Sequence, residues 1–462
     1  MTKTNQPNNL VKQQSSLVKQ ADGFAYRDLN KNGVLDVYED PRQPVEARVE
    51  DLLSQMTLEE KAGTLFINGS VVNEDGSIEE KEGTPGFARV AKSQMIDQWM
   101  THFNLWQIPE PAVVATWYNN LQKFAETTRL GIPVTIASDP RNHFSNTIFS
   151  MAARGFSQWC ETPGFGALDD PDLVRQFAEI AREEYLAVGM RVALHPQIDL
   201  ATEPRWPRIS GTFGEDAEVS ARLVQAYVEG FQGPELGPHS VACMTKHFPG
   251  GGPQNEGLDP HFEFQKGQIY PGDNFDYHLI PFEAAIQAKT ASIMPYYGIP
   301  VDQTDENVAM AYNKTVITTL LREKYGFKDV VCTDWGLVTD RTTGNFQWPA
   351  RAWGVEHLSE AERVLKILDA GVDQFGGESR PDLVLELVKK GLLSEERIDQ
   401  SVRLLLRQKF VLGLFENPFV DETRIPQVFG SPESVAAGLD SQSRAMTLLK
   451  NRDDLLPISS QT

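Results

Sequence analysis

The chain has 462 residues, 40% hydrophobic and 23% charged, with 64 acidic against 43 basic side chains and a net charge of −21. Single cores rarely grow beyond roughly 250–300 residues, so one large domain with extensions is expected. The acidic field repels phosphate backbones and anionic lipid, which argues against nucleic acid and membrane surfaces as partners and is compatible with a neutral substrate.

Residues 1–20 are polar and without periodicity, which predicts a structureless tail. They contain no apolar stretch of the signal-peptide kind, so the chain as it stands reads as cytoplasmic, and as periplasmic or secreted if a leader precedes it. No run approaches the ~18 apolar residues of a membrane-spanning helix. Residues 21–45 form an N-terminal extension carrying the string DLNKNGVLDVYE. It fits the calcium-loop pattern D-x-[DN]-x-[DN]-G-x5-E, with Asp28, Asn30, Asn32, the Val34 carbonyl, Asp36 and Glu39 at ligand positions and Gly33 at the turn. A structural calcium ion would suit it. Only three of these side chains are carboxylates, however, and Pro41 stands where an exit helix should run. An Asx-rich turn that folds without metal is the alternative. No other cofactor is called for.

From residue 46 an amphipathic helix begins, with Val49, Leu52, Leu53 and Met56 at helical spacing, and Thr57 to Glu60 form a capping box for a second helix. A single rhythm then recurs. Apolar runs at 131–139, 190–200, 240–248, 291–298, 329–335 and 371–375 read as strands, and helical patterns at 171–189, 215–233, 275–289, 315–326 and 360–371 lie between them. Alternating strand and helix implies a parallel sheet. With further strands between residues 60 and 125, the pattern fits a (β/α)8 barrel over 46–415; a doubly wound open sheet is the alternative. Ionisable or polar groups end strand after strand: Asp139, Asp199, Lys246 with His247, Tyr296 and Asp334. A barrel gathers such ends at one mouth, whereas an open sheet spreads them along an edge, so the barrel is favoured. A strong amphipathic helix spans 394–415, and residues 416–462 read as a linker. Cys160, Cys243 and Cys332 are far apart, two of them in apolar runs, and read as buried, reduced thiols.

Three segments carry chemistry. In VVCTDWG, Asp334 ends an apolar strand beside Trp335: an aromatic ring packs on the apolar face of a pyranose, and a carboxylate attacks or stabilises an oxocarbenium-like centre. An ordinary helix-capping Asp would look the same. In MTKHFPGGGP, Lys246 and His247 close a strand and could hydrogen-bond sugar hydroxyls, provided the backbone turns so that both face one way. A structural loop is the plainer reading. In EPRWPRISGTFGED, one of Arg205 and Arg208 can fork onto vicinal hydroxyls, unless both serve surface ion pairs with Glu203, Glu215 and Asp216. Trp348 and Trp353, in the loop after Asp334, could line outer sugar subsites or simply pack in the core.

The strings S-D-P-R, P-R-W-x-R followed by F-G-E-D, K-H-F-P-G, M-P-Y-Y-G-I-P and T-D-W-G, in this order and spacing, resemble glycoside hydrolase family 3 over about residues 20–460. The resemblance implies a retaining, exo-acting β-glycosidase, a β-glucosidase in the first instance, acting on a β-linked oligosaccharide or glycoside. Asp334 would be the nucleophile. Asp139, Arg208, Lys246, His247 and Tyr296 would hold the non-reducing-end sugar, with Trp335 as a wall. The chain departs from the family at Pro207, where Gly is usual. Two-domain members also continue past this point into an α/β sandwich that supplies the acid/base Glu, and no candidate Glu after residue 416 lies in a recognisable motif. That role would fall to a sandwich domain on the same or another chain. A single-domain β-N-acetylglucosaminidase branch instead uses an Asp-x-His dyad. Asp259 and His261 resemble it, at an offset two residues longer, with Pro260 for Ser and Gly251 where that branch has His. The remaining alternative is a barrel that binds sugar without turnover.

Overall fold

The computed structural model describes residues 9–21, 23–81, 89–144, 153–343 and 346–458. Eight parallel strands build its centre: β1 (Phe66–Ser70), β2 (His102–Leu105), β3 (Thr135–Ser138), β4 (Met190–Ala193), β5 (Ala242–Phe248), β6 (Ser292–Pro295), β7 (Val330–Val331) and β8 (Phe375–Gly376). They pair in sequence order, with β8 also on β1. A parallel bridge from Cys332 to Gln374 joins β7 to β8, so the sheet closes on itself. Closure decides between the two architectures: the fold is a TIM-like barrel.

The two-residue period of the strands sorts their side chains. Ile67, Ala137, Val192, Ala242, Met244, Met294 and Cys332 fill the interior with Leu412 and Leu414, while Phe66, Phe103, Ile136, Cys243, Ile293, Val331 and Phe375 face the surrounding helices. Those helices include Pro111–Thr127, Pro171–Ala187, Ala217–Gln232, Glu360–Asp369 and Pro381–Lys389. The predicted helix at 394–415 is Glu395–Val411. Its Lys409 is buried among Thr101 O, Pro133 O and Thr135 Oγ1, and burial pushes the amine well below the ordinary lysine range. The three cysteines are buried and free.

The termini depart from expectation. Where residues 1–20 read as a structureless tail, Asn9–Gln14 is a short helix and Val18–Ala21 pairs antiparallel with Phe24–Arg27; residues 1–8 lie outside the described residues. The reason is anchoring: Val11 is fully buried, and buried Arg27 bridges Glu126 at 2.6 Å and the Phe415 carbonyl at 2.8 Å. Within the predicted linker, helix Pro432–Arg444 lies against the Gln158–Cys160 segment through Ser441 Oγ, which accepts from Cys160 N at 3.1 Å. No helix among the described residues is long and apolar enough to cross a membrane.

Candidate active site

The polar strand ends meet at the barrel mouth. Asp139 follows β3, Asp199 follows β4, Lys246 and His247 lie in β5, Tyr296 and Tyr297 follow β6, and Asp334 follows β7. Lys246 and His247 are strand neighbours that reach different carboxylates. The peptide between them is cis; Lys246 Nζ is 3.0 Å from Asp139 Oδ1, and the His247 ring lies between Asp199 and Asp334.

The two oxygens of Asp334 are inequivalent. Oδ1 accepts from the Tyr297 hydroxyl at 2.7 Å and from Trp335 N at 2.8 Å. Oδ2 is buried without a hydrogen-bond partner, 3.6 Å from His247 Nε2. An unpaired buried anionic oxygen is costly in a finished protein unless a ligand meets it.

His247 is similarly half-committed. Its Nδ1 is 2.7 Å from Asp199 Oδ2, and its Nε2 has no partner. Burial, with the charge of Arg208, pushes the imidazole well below the ordinary histidine range. The ring is therefore neutral, its proton on Nδ1 facing Asp199, and Nε2 is left as an acceptor for a ligand hydroxyl. Burial raises Asp199 to about 6, against the amides of Gly251 and His247. At Asp139 burial raises the carboxyl, but Lys246 and Arg141 outweigh it and the net shift is downward. An anionic Asp139 beside Lys246 offers an acceptor and a donor side by side.

On the other side, Arg208 is buried with its guanidinium over the Tyr296 ring, 5.6 Å from the centroid, and one amine 3.4 Å from the Tyr296 hydroxyl. Pro207 opens the short turn Pro207–Gly211 that carries Arg208 inward, so the departure from Gly leaves the arginine at the site. Arg205 instead pairs with Glu203 at the surface. Asp259 accepts from Trp206 Nε1 at 2.7 Å and Tyr296 Oη at 2.9 Å through Oδ2, and from His261 N at 2.9 Å and the His261 ring through Oδ1. Burial raises this carboxyl, but His261 and Arg208 hold it below the usual range. The Asp259–His261 pair thus exists, and the His261 ring sits 4.4 Å from that of Tyr297. A side chain at Gly251 would meet Asp199 Oδ1 and Tyr296 at 3.0 Å, so the histidine of the dyad branch has no room here without rearrangement.

Trp335 forms a wall edge-on to Trp106, their centroids 6.5 Å apart. Both indoles occupy slots that only glycine permits: a Cβ at Gly69 would fall 1.9 Å from Trp106 Nε1, and one at Gly377 would fall 2.3 Å from Trp335 Cδ1. Trp353 is 2% exposed and belongs to the core, whereas Trp348 is 39% exposed. Sequence reasoning missed Tyr297 and Arg351. Strand alternation would send Tyr297 away from Tyr296, and only the strand's end at Pro295 lets both hydroxyls turn inward. Arg351 stacks 5.3 Å over Tyr297 and donates to Trp335 O at 3.1 Å and His261 O at 3.3 Å, from a loop with no motif.

The Asp28–Glu39 loop lies apart from these contacts. Its oxygens largely serve its own amides: Asp28 Oδ2 accepts from Gly33 N at 3.1 Å, Asn32 Oδ1 from Val34 N at 2.7 Å, and Glu39 Oε1 from Leu29 N at 2.6 Å. Asp36 Oδ2 takes the side-chain amides of Asn30 at 2.6 Å and Asn32 at 2.7 Å. Asp28 Oδ1 alone is buried and unpartnered, and among the described residues no three His, Cys, Asp or Glu are arranged to hold a metal. These bonds are those of an Asx-rich turn, and Asp28 Oδ1 is the buried oxygen a cation would meet.

The model for the glycosyl hydrolase family 3 N-terminal domain matches residues 59–408. The chain is 51% identical over 425 residues to a probable beta-glucosidase C of Aspergillus flavus, covering 91% of this chain and 66% of that protein. It is 40% identical over 459 residues to a periplasmic beta-glucosidase/beta-xylosidase of Dickeya chrysanthemi, covering 94% and 69%. Among solved structures it is similar to a b-glucosidase, EmGH1, from Erythrobacter marinus, with TM-score 0.75 and 26% identity over 91% of this chain and 52% of that one. The chain thus spans about two thirds of the length of these curated relatives and about half of that solved structure.

Proposed function

The chain belongs to glycosyl hydrolase family 3, and from that premise we propose that it is the barrel of a retaining, exo-acting β-glucosidase with Asp334 as nucleophile. The observation that carries the reading is the asymmetry of Asp334. Oδ1 is held by two donors, and Oδ2 is bare, 3.6 Å from His247 Nε2. The non-reducing-end glucose binds with its hydroxyls between Asp139 and Lys246, at His247 Nε2 and at Arg208, and with its apolar face along Trp335. Tyr296 holds Arg208 in place. Asp334 Oδ2 attacks the anomeric carbon as the bond to the leaving oxygen breaks, and that oxygen takes a proton from a general acid. Water then attacks the glycosyl-aspartate, loses its proton to the conjugate base and frees the carboxylate.

The general acid is a carboxyl that a retaining mechanism places about 5–5.5 Å from the nucleophile. In our reading it comes from an α/β sandwich domain on the same or another chain, in keeping with the greater length of the relatives. A second reading, a β-N-acetylhexosaminidase with Asp259 and His261 as the acid/base pair, has the observed Asp259–His261 hydrogen bond in its favour and the crowding at Gly251 against it. The third alternative, sugar binding without turnover, describes the barrel when no acid reaches it.

The test uses 2-deoxy-2-fluoroglucosyl fluoride, whose leaving group departs without a strong acid. Mass spectrometry should find one fluoroglucosyl unit on the peptide containing Asp334, and none in Asp334→Asn. A label on another carboxylate, or none on the folded wild type, would sink the reading. Labelling by the corresponding xylosyl reagent decides between glucose and xylose, the two sugars in the name of the Dickeya relative.

A further inference from the structure

One more polar side chain turns inward at the barrel mouth, outside every motif read from the chain. Asn104 is the third residue of β2, and because Phe103 and Leu105 face the helices it points into the barrel. It is fully buried, and its Nδ2 lies 3.4 Å from Asp139 Oδ2. A carboxylate oxygen accepts and does not donate, so the amide stands with its nitrogen toward Asp139 and its oxygen away. That oxygen, Oδ1, is buried with no hydrogen-bond partner among the described residues. Its neighbours across the sheet are Gly69 on β1 and Ala137 on β3, which offer no side-chain donor. A buried oxygen left bare is costly unless something else supplies the missing donor.

Two other bare atoms at the mouth set the direction in which a glucose lies over Asp334. His247 Nε2, an acceptor in the neutral ring, is 3.6 Å from Asp334 Oδ2. Of the two ring positions beside the anomeric carbon, the C2 hydroxyl can donate to this nitrogen and the ring oxygen cannot. C2 therefore lies toward β5. The remaining carbons follow the strands around the mouth. C3 and C4 come to Lys246 Nζ and Asp139 Oδ1, which are 3.0 Å apart, and C5 brings its hydroxymethyl arm to β2 and Asn104. The ring oxygen closes the circuit beside Trp335, whose Nε1 is a buried donor without a partner among the described residues. The reverse sense would set the ring oxygen against His247 Nε2, acceptor against acceptor.

We propose that Asn104 is a specificity-determining residue: its Oδ1 accepts from the 6-hydroxyl of the bound sugar and makes the pocket a site for glucose rather than xylose, which lacks the hydroxymethyl group. This rests on the Asp334 pocket as the site of the non-reducing-end sugar. Because the Asn104 amide makes one long contact with the protein, Asn104→Ala removes the acceptor and little else.

Labelling of Asp334 by 2-deoxy-2-fluoroglucosyl fluoride and by the matching xylosyl fluoride, in the full chain and in Asn104→Ala, tests this. The wild type should be labelled roughly tenfold more efficiently by the glucosyl reagent. Asn104→Ala should lose about that tenfold with the glucosyl reagent and keep the wild-type rate with the xylosyl one. An equal loss with both reagents, no loss with either, or a wild type that prefers the xylosyl reagent would overturn the assignment. Calorimetry on the wild type gives a second measure that needs no variant. Glucose should bind roughly tenfold tighter than 6-deoxyglucose. Equal affinities would also overturn the assignment, because Oδ1 would then serve an ordered water. If the folded wild type takes neither label, the Asp334 reading itself fails, and the role of Asn104 with it.

Discussion

Replacing Tyr297 by Phe removes one hydroxyl beside the proposed nucleophile. That hydroxyl also accepts from Trp335 N at 3.0 Å, an amide that keeps Asp334 Oδ1 as its other acceptor. The hydroxyl donates to Asp334 Oδ1 at 2.7 Å, and burial, reinforced by the charge of Asp334, keeps the phenol protonated at any assay pH. The variant keeps the ring, and with it the contact with His261 and the stacking of Arg351. Hydrogen bonds to charged groups contribute about 1.5–3 kcal/mol. Trp335 N still holds Oδ1 at 2.8 Å, so the loss should fall at the lower end, about 1.5–2 kcal/mol. If the bond serves to aim Oδ2 at the anomeric carbon, that loss appears in the barrier as a ~10–30-fold slower step. The assay is the rate of fluoroglucosyl labelling at Asp334, followed by intact-mass spectrometry under saturating reagent. Glucose affinity should not change, because Tyr297 meets the carboxylate rather than the sugar. Labelling at the wild-type rate would refute the positioning role, and a fall in glucose affinity equal to the fall in rate would show that the pocket had collapsed.

Two further predictions concern stability. Buried Glu184, bonded to Ser157 N and Oγ and to the Asn142 amide, is raised by burial from 4.5 to about 7. The folded state therefore binds a proton that the unfolded chain has released, so stability is highest below about pH 4.5 for this group and falls as pH climbs to about 7. Glu184→Gln should remove that decline, gaining about 1–3 kcal/mol at pH 8 relative to pH 5 in chemical denaturation; an unchanged pH slope would show that the carboxyl is not shifted. The Asp28–Glu39 loop closes on its own amides, so the melting temperature should be the same in excess calcium and in chelator. A rise with calcium would favour the metal reading of that loop.

Legibility varied along the chain for physical reasons. Strands β3 to β7 showed as β-branched or apolar runs because both their faces are buried. Strands β1 and β2 did not. Phe66–Ser70 and His102–Leu105 are short and carry Asn68 and Asn104, polar residues that sit near the mouth, where Asn104 Nδ2 lies 3.4 Å from Asp139. Function diluted the pattern that marks a strand. The N-terminal residues read as unstructured because their composition is polar, but one buried arginine with distant partners holds them.

The same division applies to the candidate site. Asp139, Arg208, Lys246, His247, Tyr296 and Asp334 could be singled out from the chain alone, since each stands at or near a strand end or in a motif, and residue type with local period is written in the order of amino acids. Which oxygen of Asp334 is bare, which nitrogen of His247 accepts, and that Tyr297 and Arg351 steady the carboxylate were decided only by the folded barrel. Those facts depend on groups tens to hundreds of positions apart meeting within about 3 Å, the range over which a hydrogen bond selects one atom from its neighbour.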